Sequence, residues 1–201
     1  MTALRIDGIR HRVLSPVDLT LIQGEQVFLS GPSGSGKSLL LRAIADLDPN
    51  EGEVWLGDEA RSSMPAPLWR RRVGLLPAES FWWAETVGEH LPEDARGITD
   101  FLERLGFEAG VLGWSISRLS TGERQRLALV RLLAQRPEAL LLDEATANLD
   151  PTNRDRVESL IARYRETDAA SVLWVSHDPE QRQRLGGRSF MIRDGRLEPE
   201  S

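Results

Sequence analysis

Gly31-Pro32-Ser33-Gly34-Ser35-Gly36-Lys37-Ser38 decides the reading of this chain. The segment satisfies G-x-x-x-x-G-K-[ST], the phosphate-binding P-loop pattern. Its glycines let consecutive backbone N–H groups turn inward on an anion, and a following helix adds its positive N-terminal end. Lys37 is the only lysine; every other basic side chain of the 25 is arginine. A compact ammonium fits beside β- and γ-phosphates where a wide planar guanidinium would not. Gly31 through Leu39 are therefore the candidate nucleotide-binding stretch, with the Ser38 hydroxyl available to Mg²⁺. The flanks fit the motif: Gln26-Val27-Phe28-Leu29-Ser30 is a short strand candidate, and residues 39–45 (LLLRAIA) carry a helical pattern.

Outward from the loop, residues 1–77 read as short strands around one helix, with turns at Asn50-Glu51-Gly52 and Leu56-Gly57-Asp58-Glu59. From about residue 78 to 136 the character becomes helical. Residues 99–105 have apolar side chains at helical spacing with Gly106 as a stop, and a longer helix is predicted over 123–135. Ala139-Leu140-Leu141-Leu142 and Ser171-Val172-Leu173-Trp174-Val175 are apolar runs of the kind buried on both faces of a parallel sheet. A helix over 155–164 lies between them, and a hairpin turning at Asp194-Gly195 follows. Strands alternating with helices predict an α/β core.

Composition narrows the function. The net charge of −6 gives no general case for nucleic-acid binding, and Arg70-Arg71-Arg72 reads as a solvated basic face. There is no cysteine, hence no disulfide and no thiolate metal site. The opening residues carry no signal-like apolar stretch, and no run approaches the ~18 residues of a membrane span. A chain soluble by itself is expected, with any membrane role supplied by a partner.

Asp143-Glu144 stand at the carboxyl end of the first buried run, where ligands gather in open α/β sheets. Beside a P-loop, an aspartate there positions Mg²⁺ and a following glutamate can polarise an attacking water. Leu119-Ser120-Thr121-Gly122-Glu123 then completes a pattern that resembles the ATP-binding-cassette (ABC) ATPases, whose signature is LSGGQ or a close variant. Taken alone, Ser-x-x-Glu is also a helix capping box. Ala147-Asn148-Leu149-Asp150 resembles the family's D-loop, and Val175-Ser176-His177-Asp178 its switch-histidine segment. The motifs come in the family's order and span nearly the whole chain.

The resemblance implies a P-loop NTPase fold of ABC type: a mostly parallel sheet, a small antiparallel β part and an inserted helical subdomain. It implies one domain over 1–201, with a core lobe of about 1–79 and 137–201 and a helical lobe of about 80–136. It implies ATP and Mg²⁺ as cofactors. Lys37 and the loop amides would hold phosphate, Ser38 and Asp143 the metal, Glu144 would be the general base, and His177 would meet the γ-phosphate. Ser120, Gly122 and Glu123 would close the nucleotide site of a second copy in a head-to-tail homodimer. The implied function is the ATPase of a membrane transporter with a separate transmembrane permease, at the cytoplasmic face of the inner membrane and without nucleic acid. The tail and the compact lobe resemble the small ATP-binding subunits of the bacterial iron-exporter (Fet-type) group.

Two departures from the family pattern stand out. Ala78, in Pro77-Ala78-Glu79-Ser80, occupies the position of a metal-binding, partner-sensing glutamine. Ahead of the P-loop, His11 or a neighbouring arginine is the only flat group for the adenine. Phe81-Trp82-Trp83 follows the glutamine position; three adjacent large aromatics cannot all face one core, so an exposed interface is expected. The competing functions are a soluble ABC ATPase acting on DNA or ribosomes, and a cassette that binds ATP as a switch. A signature beginning at Leu119 leaves no room for the DNA-repair type's coiled coil, and one cassette is too few for the ribosomal type.

Overall fold

A computed structural model describes residues 4–11, 13–92 and 97–200. Met1-Thr2-Ala3, and Arg12 among the arginines considered for the adenine, lie outside these. Strands β1 (Leu4–Arg10), β2 (Val17–Leu21), β4 (Glu51–Leu56) and β5 (Glu59–Ala60) form an antiparallel sheet in the order β2-β1-β4-β5. A second, six-stranded sheet has the order β10-β9-β3-β8-β7-β6. Its members are β3 (Gln26–Ser30), β6 (Val73–Leu76), β7 (Ala139–Asp143), β8 (Ser171–Val175), β9 (Arg188–Arg193) and β10 (Arg196–Pro199). All neighbours pair in parallel except the β9–β10 hairpin. The expected mostly parallel sheet with a small antiparallel part is therefore present.

Strand periodicity explains the two hydrophobic clusters. Successive side chains of a strand point to opposite faces. Phe28, Leu140, Leu142, Val172 and Trp174 accordingly join a cluster with α4 (Thr121–Leu133), α5 (Pro151–Asp168) and α3 (Ile98–Arg104). Val27, Leu29, Leu141, Leu173 and Val175 join the other, against α1 (Lys37–Ile44) and the antiparallel sheet. Strands β3, β7 and β8 are buried at every residue. Continuous apolar runs were legible as such because water meets neither face.

Several boundaries differ from the sequence reading. The 123–135 helix begins at Thr121, because the Ser120 hydroxyl accepts from the Glu123 amide and the Glu123 carboxylate accepts from the Ser120 amide. The 155–164 helix runs from Pro151 to Asp168; Asp150 caps it and Pro151 tolerates the first position. The stretch from 78 to 119 is less helical than its composition suggests. Among the described residues it holds one α-helix, three 3-10 turns and an isolated Thr86–Ser115 bridge. Its apolar side chains, Val87, Leu102, Leu105 and Val111 among them, fill the same cluster as Phe28 and Leu142.

Arg70-Arg71-Arg72 is likewise more than a solvated face. It ends α2 (Ala66–Arg72); Arg72 pairs with Glu59 and Glu138, and Arg70 donates to the Asp46 carbonyl. That spends two of the three cations on structure.

Candidate functional site

Three adjacent strands, β3, β8 and β7, deliver their following residues to one edge. The P-loop leaves β3, Ser176-His177 leave β8, and Asp143-Glu144 close β7. Sequence spacing cannot show this convergence; parallel pairing produces it.

The loop's glycines have identifiable jobs. Gly31 has φ +139°, and a Cβ there would sit 2.5 Å from the Ile192 carbonyl oxygen. Gly36, at φ +105°, opens α1, and its Cβ would meet the Leu14 side chain at 2.7 Å. Backbone crowding restricts position 31 to glycine, and the left-handed angle favours glycine at 36. The first helical bond runs from the Leu40 amide to the Gly36 carbonyl, so the amides of Lys37, Ser38 and Leu39 have no partner within the helix. The Ser35 hydroxyl is buried without a partner. Lys37 is 6% exposed, and its ammonium donates to the Gly31 and Pro32 carbonyls at 2.9 Å each. Burial draws this lysine below its ordinary range, opposed by the charges of Glu144 and Asp143.

Asp143 is buried, and desolvation pushes its carboxyl above the usual range while a hydrogen bond with Ser38 pulls the other way. The candidate metal pair is thus one hydroxyl and one carboxylate in contact. Hard oxygens of this kind suit Mg²⁺, which takes one or two protein ligands and completes its shell with phosphate and water. No cluster of three or more His, Cys, Asp or Glu able to hold a metal occurs among the described residues.

Glu144 adopts φ +51°, unusual for a residue with a Cβ, and its amide donates to the Val175 carbonyl at 3.2 Å. This kink turns the carboxylate toward the end of β8, where Glu144 Oε1 lies 3.2 Å from His177 Nε2. Both side chains are partly exposed, 36% and 48%. Lys37, Asp143, Glu144 and His177 are thereby gathered at one edge, from positions that lie 140 residues apart at the extremes.

The signature residues lie elsewhere. Ser120, Gly122 and Glu123 open α4, and the nearest neighbours of Gly122 are Leu149 and Asn148, not the P-loop. Capping engages Ser120 and Glu123. Of the adenine candidates, His11 is 4% exposed and its ring belongs to the interior. The apolar side chain exposed beside the P-loop is Val13. Ala78 and Glu79 are both exposed after β6.

The ABC transporter family matches residues 14–147. The chain belongs to the ABC transporter family. It is an ATP-binding ATPase of that family, as the motif order led one to expect. The "Probable iron export ATP-binding protein FetA" of Escherichia coli (strain K12) is 34% identical over 180 residues, covering 85% of this chain and 80% of its own. The "Aliphatic sulfonates import ATP-binding protein SsuB 2" of Frankia alni is 35% identical over 207 residues, covering 98% and 80%. A dimeric ATP-binding cassette solved in a post-hydrolysis state with ADP and Pi shares the fold, with a TM-score of 0.84 over 98% of both chains at 24% identity.

Some polar residues around this ABC site carried no sequence signal. Gln181, Thr146 and Glu158 form a buried hydrogen-bonded group beneath it. Arg182 donates to the Ser176 carbonyl and pairs with Glu200, which also accepts from Ser30. Nothing in the sequence marks Gln181 except its place four residues after His177.

Proposed function

We propose that this chain powers a membrane transporter as a homodimer of ATPase subunits bound to a separate permease at the cytoplasmic face of the inner membrane. The observation that carries the chemistry is the 3.2 Å approach of Glu144 and His177 at the strand edge that also presents Lys37. Lys37 and the loop amides hold the ATP phosphates. Ser38 and Asp143 would hold Mg²⁺, which when bound would supply positive charge to the phosphates. Glu144 takes the proton of a water as its oxygen bonds to the γ-phosphorus. The bond from that phosphorus to the β,γ-bridging oxygen breaks, and ADP leaves with the electron pair. His177 steadies the γ-phosphate and orients Glu144.

Gly122 lies beside Leu149 and Asn148, and Ser120, Gly122 and Glu123 serve the nucleotide of a second copy rather than their own. Their place at the head of α4 suits the γ-phosphate of a second copy facing the first head to tail. Residues 80–136 act as the lobe that carries this signature, with 1–79 and 137–201 as the nucleotide-binding lobe.

Permease coupling rests on the segment after β6. Phe81 is 75% exposed and Trp83 64%, while Trp82 is half-buried. Arg131 lies 4.7 and 4.9 Å from the Trp82 and Trp83 rings and donates to the Phe81 carbonyl, which stiffens the aromatic ledge. No helix among the described residues is long and apolar enough to cross a membrane. The names of the relatives cover iron export and sulfonate import; what they share is ATP-driven transport, and that is the function proposed.

Tagging the chain in its native host and solubilising the membranes in mild detergent tests the proposal. A stoichiometric multi-span membrane protein is expected to co-purify. Recovery with ribosomes or DNA, or alone in the cytosol, would overturn the transporter reading. Ala78, which has no oxygen for a metal, supports a second reading in which the cassette binds ATP as a switch with slow hydrolysis.

A further inference from the structure

Gln181 is 2% exposed, yet its amide makes three side-chain hydrogen bonds. Its Oε1 accepts from the Ser176 hydroxyl at 2.6 Å. Its Nε2 donates to the Thr146 hydroxyl and to Glu158 Oε1, both at 2.8 Å. Glu158, itself 6% exposed, is tied in turn by Arg184 at 2.8 and 2.9 Å. Ser176 immediately precedes His177, and Thr146 follows Glu144 by two residues. One amide therefore holds both segments that carry the Glu144–His177 pair.

The two segments need such a tie. The β7–β8 ladder ends at the Asp143–Val175 pair, and beyond it the chains separate, one toward α5 and the other toward α6 (Pro179–Leu185). A cavity of about 330 Å³ opens between them, lined by Glu144, Thr146, His177 and Gln181 among others. Apolar packing would fill the space under the dyad but would not set direction. Hydrogen bonds of fixed length do, and a buried amide left without partners would be costly.

We infer that Gln181 is a positioning residue for ATP hydrolysis, setting the separation of Glu144 and His177 through Thr146 and Ser176. The inference rests on the roles proposed above for that pair. Gln181 acts through Ser176 and Thr146, which belong to the segments that carry the pair.

Gln181→Met keeps the volume and removes the bonds. Its kcat is expected to fall about 10-fold, on the scale of a small misplacement of reacting groups, with KM for ATP unchanged within about 2-fold. In a His177→Ala background the same substitution is expected to cost less than about 2-fold, because the group it positions is gone. The exchange Gln181→Glu with Glu158→Gln moves the carboxylate to position 181, where it accepts from both hydroxyls and from the new amide, and should recover most of the lost kcat. Should Gln181→Met melt below the assay temperature, Ser176→Ala, which deletes only the hydroxyl bonded to Oε1, replaces it in the same cycle. Wild-type kcat in the single variant, full additivity with His177→Ala, or a folded exchange variant no faster than Gln181→Met would each overturn the inference. Wild-type rates in Glu144→Gln and His177→Ala would instead sink the underlying reading. Slow rates in those two with a normal Gln181→Met would remove Gln181 alone.

Discussion

Strands β7 and β6 lie side by side in one sheet and end in contrasting ways. Beyond β7 the chain is held at each step: the Glu144 amide bonds to β8, the Glu144 carboxylate reaches His177, and Thr146 is fixed by Gln181. Beyond β6 it runs through Pro77-Ala78-Glu79-Ser80, where a single side chain, Gln125, reaches the Pro77 carbonyl and the Ser80 hydroxyl. The first region carries the residue types of the proposed chemistry. The second has alanine at position 78, where the family pattern leads one to expect a glutamine, and sets two aromatics in the open at 81 and 83. Chemistry requires reacting groups held to a fraction of an ångström, and a strand flanked by strands on both sides supplies that rigidity. A segment leaving an edge strand is free to answer to a partner.

The sharpest way to break this contrast is at its rigid end. Glu144→Gln preserves shape and removes the base, so turnover should fall by about 100-fold or more, while ATP still drives dimer formation in size-exclusion chromatography. Undiminished phosphate release in that variant would take Glu144 out of the mechanism. At the open end, Phe81→Ala with Trp83→Ala should leave the ATPase rate of the isolated subunit within about 2-fold, yet weaken retention by the permease about 10-fold, the scale of an aromatic interface anchor. A detergent-solubilised complex that survives both changes would show that the ledge is not the docking surface. The smallest effect is expected at Ala78→Gln. Restoring an amide there should raise Mg²⁺ affinity or turnover by about 2- to 3-fold, a fraction of what one added metal ligand contributes in a closed site. A titration of rate against Mg²⁺ that superimposes on the wild type would mean another oxygen already serves.

Much of this was readable before any coordinates. The P-loop is a contiguous motif whose glycines encode their own backbone angles, and Gly31 and Gly36 adopt positive φ with no space for a Cβ. The runs at 139–142 and 171–175 announced buried strands because both of their faces are dry. Less legible was the stretch from 78 to 119, where helical composition gave mostly 3-10 turns and loops; its apolar residues owe their places to the Phe28–Leu142 cluster more than to their own period. His90 is buried between the Trp82 and Trp83 rings, with Nε2 accepting the amides of Trp83 and Ala84 and Nδ1 facing the Thr86 carbonyl.

The sequence alone determined which groups are proposed to handle phosphate, metal and water, since Lys37, Ser38, Asp143, Glu144 and His177 each sit in a local pattern carried by its own neighbours. Only the tertiary structure decided how those patterns meet. The order β3-β8-β7 sets His177 against Glu144, and side chains 35 and 23 positions apart converge on Gln181. Local patterns follow from the backbone preferences of adjacent residues. Convergence follows from which strands pair, and pairing is settled by the burial of whole faces rather than by any motif.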